Sequence, residues 1–236
     1  MRIAVLALFA LCACVPVPRD TPDSATAITE LPDATNASPP IAAANHVYRR
    51  SEFECGIALS YPAHWEVLTR EMDLNIQANA QARGTPPRPS GNRTLLLLNS
   101  TPEPHGAQLR LVVNPANQDV TQRVLLDMAH DQATLHVISD QLLQQFRARE
   151  AAGGVRVVTM RPARVERLDD HAAIHTSYDR LSMLGGSDWR VDQYQIPVEG
   201  ALIHFTISYQ IDEEQQWSPI LNASLASLQV GDGCQG

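Results

Sequence analysis

Between His46 and the C-terminus, apolar and polar residues alternate mostly with a period of two, and the period shifts to helical spacing in several stretches. Phe53, Cys55, Ile57 and Leu59 share one face of a predicted strand. Tyr61-Pro62-Ala63-His64 predicts a turn, and residues 65–68 a second strand. Residues 71–82 carry a weak helical pattern, and residues 83–92, with Pro86, Pro87 and Pro89, predict a loop. Residues 94–99 form a short apolar strand. A Pro/Gly turn over 101–106 leads to the next strand, marked by Leu109, Leu111 and Val113. Val120, Val124, Leu125 and Met128 then fall at helical spacing behind a cap at Asp119 or Thr121. A second helix, capped by Ser139, carries Leu142, Leu143 and Phe146 and stops at Gly153-Gly154. Strands resume over 155–160 and 172–181, joined through Asp169-Asp170. Gly185-Gly186 leads into a strand over 189–197, and Glu199-Gly200 turns into another over 202–211. A last helix, starting at Ser218-Pro219, carries Ile220, Leu221, Leu225 and Leu228. This order predicts an α+β domain, a mainly antiparallel sheet with packed helices, over 46–236.

The chain before His46 obeys neither period. Arg2 is followed by an apolar run over 3–11 and then by Leu11-Cys12-Ala13-Cys14. A positive start, an apolar core of about 7–15 residues and a small residue before the cut define a secretory signal. The run falls short of the roughly 20 apolar residues that span a bilayer. Pro16 and Pro18 prevent a helix from continuing. Leu at −3 and Cys at +1 make Leu11 to Cys14 a lipobox, which predicts a signal peptide over 1–13 and lipidation of Cys14. Cys12 fits that pattern worse, because it would place Phe9 at −3 and Leu11 at −1. Ordinary cleavage nearby, with Cys14 left as a plain thiol, is the alternative. Residues 14–45 are rich in Pro, Ala, Thr, Ser and Asp, so they bury too little apolar surface to fold and predict a disordered tether. Val15 at +2, by analogy with enteric bacteria, favours the outer membrane, with the domain facing the periplasm.

Composition then removes whole classes of function. The apolar content of 44% suffices for a core. The net charge of −8 argues against nucleic-acid binding. All 18 basic residues are arginine, so a P-loop lysine, a Schiff-base lysine and a Ser–Lys dyad are impossible. Gly-rich dinucleotide fingerprints and Gly-x-Ser-x-Gly elbows are absent too. Cys12 leaves with the signal and Cys14 carries lipid. Cys55 and Cys234 remain as an even pair in an oxidising compartment and predict a disulfide between the start and end of the domain. Closing so long a loop contributes on the order of 5 kcal/mol in the chain-entropy treatment. Two free buried thiols are the alternative.

Side chains with chemical potential each have a plain structural explanation. His171 and His175 are four apart, which on a helix would suit a metal. In a strand they lie roughly 13 Å apart, too far to share one ion. His130 and His136 bracket a helix end, and no metal or cofactor is expected. Asp169-Asp170 and Asp212-Glu213-Glu214 suit turns and helix starts. Arg147, Arg149, Arg156, Arg161, Arg164 and Arg167 crowd one stretch of an acidic chain, and guanidinium forks suit carboxylates and phosphates. Arg156, Arg161, Arg164 and Arg167 are the candidate anion-binding set. Local ion pairs to Glu150 and Glu166 are the competing explanation. No catalytic constellation emerges. The large aromatics read as core and sheet packing, with Trp65 beside a turn.

Phe53-Glu54-Cys55-Gly56-Ile57-Ala58-Leu59-Ser60-Tyr61-Pro62-Ala63-His64-Trp65 resembles the "Gly, apolar strand, Tyr-Pro-x-x-Trp" opening of the PsbP-like and DcrB-like lipoprotein group. Asp170-His171-Ala172-Ala173 is similar to its Gly-x-x-Ala turn into a strand, and Trp217, Ile220, Ser224 and Leu225 to its closing helix. The chain departs from the group in its proline-rich loop and in lacking glycine at the Asp169-Asp170 turn. The resemblance implies an α/β/α sandwich whose relatives mostly act as non-enzymatic binding or assembly factors. It transfers no catalytic residue. The expected protein is a membrane-anchored envelope lipoprotein that binds or assembles an envelope partner. The alternative is a periplasmic ligand-binding protein or hydrolase with a pocket on the sheet face.

Overall fold

The computed structural model describes residues 46–68, 92–102, 105–115, 120–151, 155–182 and 186–234. Cys14, the leader, the tether and the helix expected over 71–82 lie outside the described residues, as does most of the 83–92 loop.

Among the described residues, ten strands and three α-helices follow in the order β1 (Tyr48–Glu52), β2 (Ala58–Pro62), β3 (Glu66–Val67), β4 (Arg93–Asn99), β5 (Ala107–Asn114), α1 (Gln122–Met128), α2 (Gln132–Ala151), β6 (Val157–Met160), β7 (Arg164–Leu168), β8 (His171–Arg180), β9 (Trp189–Val198), β10 (Ala201–Gln210) and α3 (Glu214–Ala226). Eight strands form one antiparallel sheet in the order β3-β4-β5-β10-β9-β8-β6. β7 pairs with the first half of β8 while β6 pairs with the second half. β1 and β2 make a separate two-stranded sheet.

Because side chains alternate along a strand, each face of the sheet is buried by a different layer. On the first face, Leu109, Leu111, Ala173, Tyr194, Ile196, Ile203 and Phe205 pack with Ile57 and Leu59 near the β1–β2 hairpin and with Trp217, Ile220 and Leu221 of α3. On the second face, Val165, Ala172 and Ile174 pack against Leu125 and Met128 of α1 and Leu135 and Ile138 of α2. The sheet is therefore sandwiched between helical layers, the α+β arrangement expected from the sequence. No helix among the described residues is long and apolar enough to cross a membrane.

Four expectations about elements are corrected. The alternation over 53–59 is not one strand. Glu54–Gly56 makes a 3-10 turn in which Cys55 (φ 63°) and Gly56 (φ 62°) are left-handed, so the strand begins only at Ala58. The strand Tyr48–Glu52, polar on its exposed side, precedes it. Ser139 does not cap the second helix. That helix starts at Gln132, where Asp131 accepts from Thr134 N (3.0 Å). β7 was not expected between the strands at 155–160 and 172–181. The last helix begins at Glu214, ahead of Ser218-Pro219, after a 3-10 turn over Ile211–Glu213. By contrast, Thr121 caps α1 as expected, accepting from Val124 N.

Cys55 and Cys234 are disulfide-bonded. Backbone bonds run beside the bridge: Gly231 N donates to Cys55 O, and Cys234 N to Glu199 O. The C-terminal tail is thus held to both the first 3-10 turn and the β9–β10 hairpin.

Candidate functional site

On the first face, α3 covers only part of the sheet, and the remainder towards β7, β8 and β9 is polar. Odd positions of β8 point there: His171, Ala173, His175, Ser177 and Asp179. The register sets Tyr194 opposite His175 and Asp192 opposite Ser177, and places Glu166 of β7 opposite Ala173. Three strands therefore bring Glu166, His175 and Asp192 together, although the first and last are 26 positions apart in the chain.

His175 is 4% exposed. Its Nε2 bonds Asp192 Oδ1 at 3.0 Å. Its Nδ1 lies 3.3 Å from Glu166 Oε2, an ion-pair distance at an angle outside hydrogen-bond geometry. Tyr194 stacks on the imidazole at 4.3 Å between centroids. Burial pushes the imidazole pKa down, but the hydrogen bond to Asp192 and the two carboxylate charges outweigh it and hold the pKa above its ordinary value. Burial likewise pushes Glu166 up, and His175 and Arg164 bring it below the usual carboxylate range. Asp192 is lowered in the same way by His175, Ser177 and Arg190 against burial. All three shifts run towards the charged form of each group.

A second network continues it along the face. Arg161 grips Asp179 with two bonds, of 3.0 and 2.9 Å. Arg190 Nε also donates to Asp179 Oδ1 (3.0 Å), and its Nη1 to Glu214 Oε1 (2.8 Å). Tyr209 OH donates to the same Glu214 oxygen at 3.1 Å. Burial and the charges of Asp192 and Glu214 push the Tyr209 pKa up to about 12. Glu214 thus ties the start of α3 to β9 and β10, more than the helix-start role read from sequence.

The candidate anion-binding arginines are not gathered on one surface. Arg161 and Arg164 reach the first face, where each is paired, with Asp179 and Glu166 respectively. Arg156 pairs with Glu150 at 3.4 Å. Arg167, three positions after Arg164 on β7, points to the opposite face.

A cleft of about 630 Å³ opens at the strand ends, not on the sheet face. Val120, Gln122, His171, Pro197, Glu199 and Asp232 are among its walls. The Gln122 amide braces it, donating to Ala172 O (3.1 Å) and Pro197 O (2.7 Å) and accepting from Ala172 N (2.7 Å). His171 is 7% exposed, and its Nδ1 has no hydrogen-bond partner. Among the described residues no group of three His, Cys, Asp or Glu side chains is placed to hold a metal ion. Trp65, flagged by its turn, is buried and meets Trp217 edge-on at 5.9 Å.

Sequence reading missed the triad because no single stretch contains it. A signal was present: a strand with apolar Ala172, Ile174 and Tyr178 on one side carries His175, Ser177 and Asp179 on the other. A buried strand with such a polar row needs charged partners on its neighbours.

No protein-family model matches the chain, and no curated protein matches it. Among solved structures, the chain is similar to cyanobacterial PsbP (CyanoP) from Synechocystis sp. PCC 6803. The identity is 15% over 82% of this chain and 96% of that one, with a TM-score of 0.49. It is similar also to LpqN of Mycobacterium tuberculosis, described as involved in cell envelope biogenesis, at 13% identity over 80% and 94% of the two chains and a TM-score of 0.37. Protein PA94 of Pseudomonas aeruginosa, of unknown function, is 13% identical over 77% and 96%, with a TM-score of 0.38.

Proposed function

We propose that the protein is an envelope lipoprotein, anchored through Cys14 and tethered by residues 15–45, whose domain binds or helps assemble another envelope component and is not an enzyme. One observation carries the reading. Cys55 is bonded to Cys234, so Cys14 is the one cysteine of the proposed mature chain without a thiol partner. A bonded pair also suits an oxidising compartment outside the cytoplasm. The non-enzymatic part is supported by the triad. Its imidazole and carboxylates are buried and bound to one another, which leaves no free, accessible base there. The outer membrane, with the domain in the periplasm, is the location that Val15 favours.

Growing cells that express the full chain with an alkyne-bearing fatty acid tests this. The wild-type chain is expected to take up label and sediment with membranes, and Cys14→Ser to do neither. Unlabelled wild-type chain in the soluble fraction would overturn the anchor.

The cleft supports a second reading, binding of a small ligand, through the unpartnered His171 Nδ1 on its wall. Soaking or titration with a fragment library, followed by His171→Phe, checks it. Hits that survive the substitution would dismiss it.

A further inference from the structure

The second face of the sheet carries a cationic cluster that the ion-pair networks do not use. Tyr178 and Arg180 are two apart on β8 and so point the same way, towards α2. Phe146 of α2 lies against the Tyr178 ring, with centroids 4.7 Å apart. The Arg149 guanidinium sits over Phe146 at 5.9 Å. The Arg180 guanidinium sits over Trp189, its cross-strand neighbour, at 5.2 Å. The charges of both guanidiniums pull the Tyr178 pKa down against the larger upward push of burial.

These arginines differ from the others in their partners. Among the described residues neither Arg149 nor Arg180 forms an ion pair with a carboxylate. Nearby acids are committed elsewhere: Glu150 to Arg156, and Asp179, on the opposite face, to Arg161 and Arg190. Burial lowers the Arg180 pKa, and the Tyr178 phenol offsets this only in part. A partly desolvated guanidinium without a carboxylate partner among the described residues is costly, and an anion relieves that cost. Contact with the Phe146 and Trp189 rings restrains the two guanidiniums. Two guanidinium forks beside a phenol hydroxyl offer more donors than one carboxylate can accept, and they match the several oxygens of a phosphate.

We propose that Arg149, Tyr178 and Arg180 form a binding site for a phosphate group, presented either by free phosphate or by the headgroup of an anionic phospholipid. The site stands whether or not Cys14 is acylated, and it involves none of the four arginines that the sequence singles out as anion-binding.

Titration calorimetry on the full-length chain in nonionic detergent separates the two sources. The probes are inorganic phosphate and glycerophosphoglycerol, the deacylated headgroup of phosphatidylglycerol. Binding is expected, with a change in fluorescence from Trp189, because Trp65 and Trp217 are buried. Tighter binding of glycerophosphoglycerol assigns the site to a lipid headgroup, and binding that is no tighter assigns it to free phosphate. Arg149→Gln and Arg180→Gln should each weaken binding about tenfold. Arg149 is exposed, so its replacement leaves the fold intact and keeps the test valid even if Arg180→Gln does not fold. Absence of binding by either probe at about 10 mM, or affinity unchanged in Arg149→Gln, would overturn the proposal.

Discussion

His175 is held by two carboxylates that would repel one another without it. Removing one partner from a buried ionic cluster leaves an uncompensated charge, which typically costs about 3–5 kcal/mol. His175→Gln is therefore expected to lower unfolding free energy by about 3 kcal/mol in urea at pH 6. The pH dependence follows from the directions of the shifts. The imidazole pKa is raised, so above the ordinary value of 6.5 the folded state holds a proton that the unfolded state has released. Stability falls as pH rises through that window, until the folded pKa is passed. Glu166 and Asp192 are lowered, so their contribution is present above their ordinary values and is lost as pH falls through the folded ones. The triad contributes fully between the ordinary carboxylate values of 4.5 and 3.8 and the imidazole's 6.5. Thermal melts from pH 6 to 9 check this: the wild type should lose melting temperature where His175→Gln stays level. Equal slopes would mean that the imidazole is neutral. At this scale the sequence is mute for a physical reason. Residues 166, 175 and 192 meet only through strand register, and a chain read alone carries no register between β7, β8 and β9.

Elements were legible where one physical preference governs. Leu109, Leu111 and Val113 alternate because β5 is buried on one face, and Thr121 caps α1 through its own side chain. Legibility failed where tertiary contacts override local preference. The alternation from Phe53 to Leu59 looked continuous, but a left-handed Cys55 breaks it, held by the bridge to Cys234. β7 reads Arg-Val-Glu-Arg-Leu, too charged for an expected strand. Glu166 is paired with Arg164 on the same strand and with His175 across the sheet, and Val165 and Leu168 face opposite cores. The missing turn glycine has a local answer: Asp169 itself takes the left-handed conformation (φ 54°), and its carboxylate accepts from Val230 N. Ser139 looked like a cap because serine favours helix starts. In the middle of α2 it instead donates to Leu135 O (2.9 Å) and accepts from Ala163 N (2.7 Å), which fastens the β6–β7 loop to the helix. Ser139→Ala leaves the buried Ala163 N–H unsatisfied, so a loss of about 2 kcal/mol is expected. Hydrogen exchange locates the effect: the Ala163 amide should lose protection well before those of β9 and β10. Unchanged protection there would show that the hydroxyl is not what holds the loop.

Across the whole molecule, the chain from Cys55 to Cys234 is one closed loop, its ends 179 positions apart. Every strand of the large sheet lies inside it. The bridge therefore restricts nearly the entire unfolded domain, and chain entropy puts its contribution at about 5 kcal/mol. The lacing beside it works on the folded state instead. Ala58 and Gln229 exchange two backbone bonds (3.0 and 2.8 Å), and Glu199 N bonds Asp232 O (3.1 Å), so the tail stays docked when the sulfurs part. Reduction should then lower stability without dissolving the fold. For a domain of this size, each kcal/mol moves the melting temperature by about 2–4 °C, so a drop of upwards of 10 °C is expected on adding reductant. Cys55→Ser combined with Cys234→Ser should reproduce that drop and become insensitive to reductant. Alkylation of the unreduced, unfolded wild-type domain supplies the covalent check, since neither cysteine should take up reagent. Two alkylated thiols, or a melting temperature indifferent to reductant, would disprove the closed loop. That outcome would also remove the argument that singles out Cys14, because three cysteines of the proposed mature chain would then stand free.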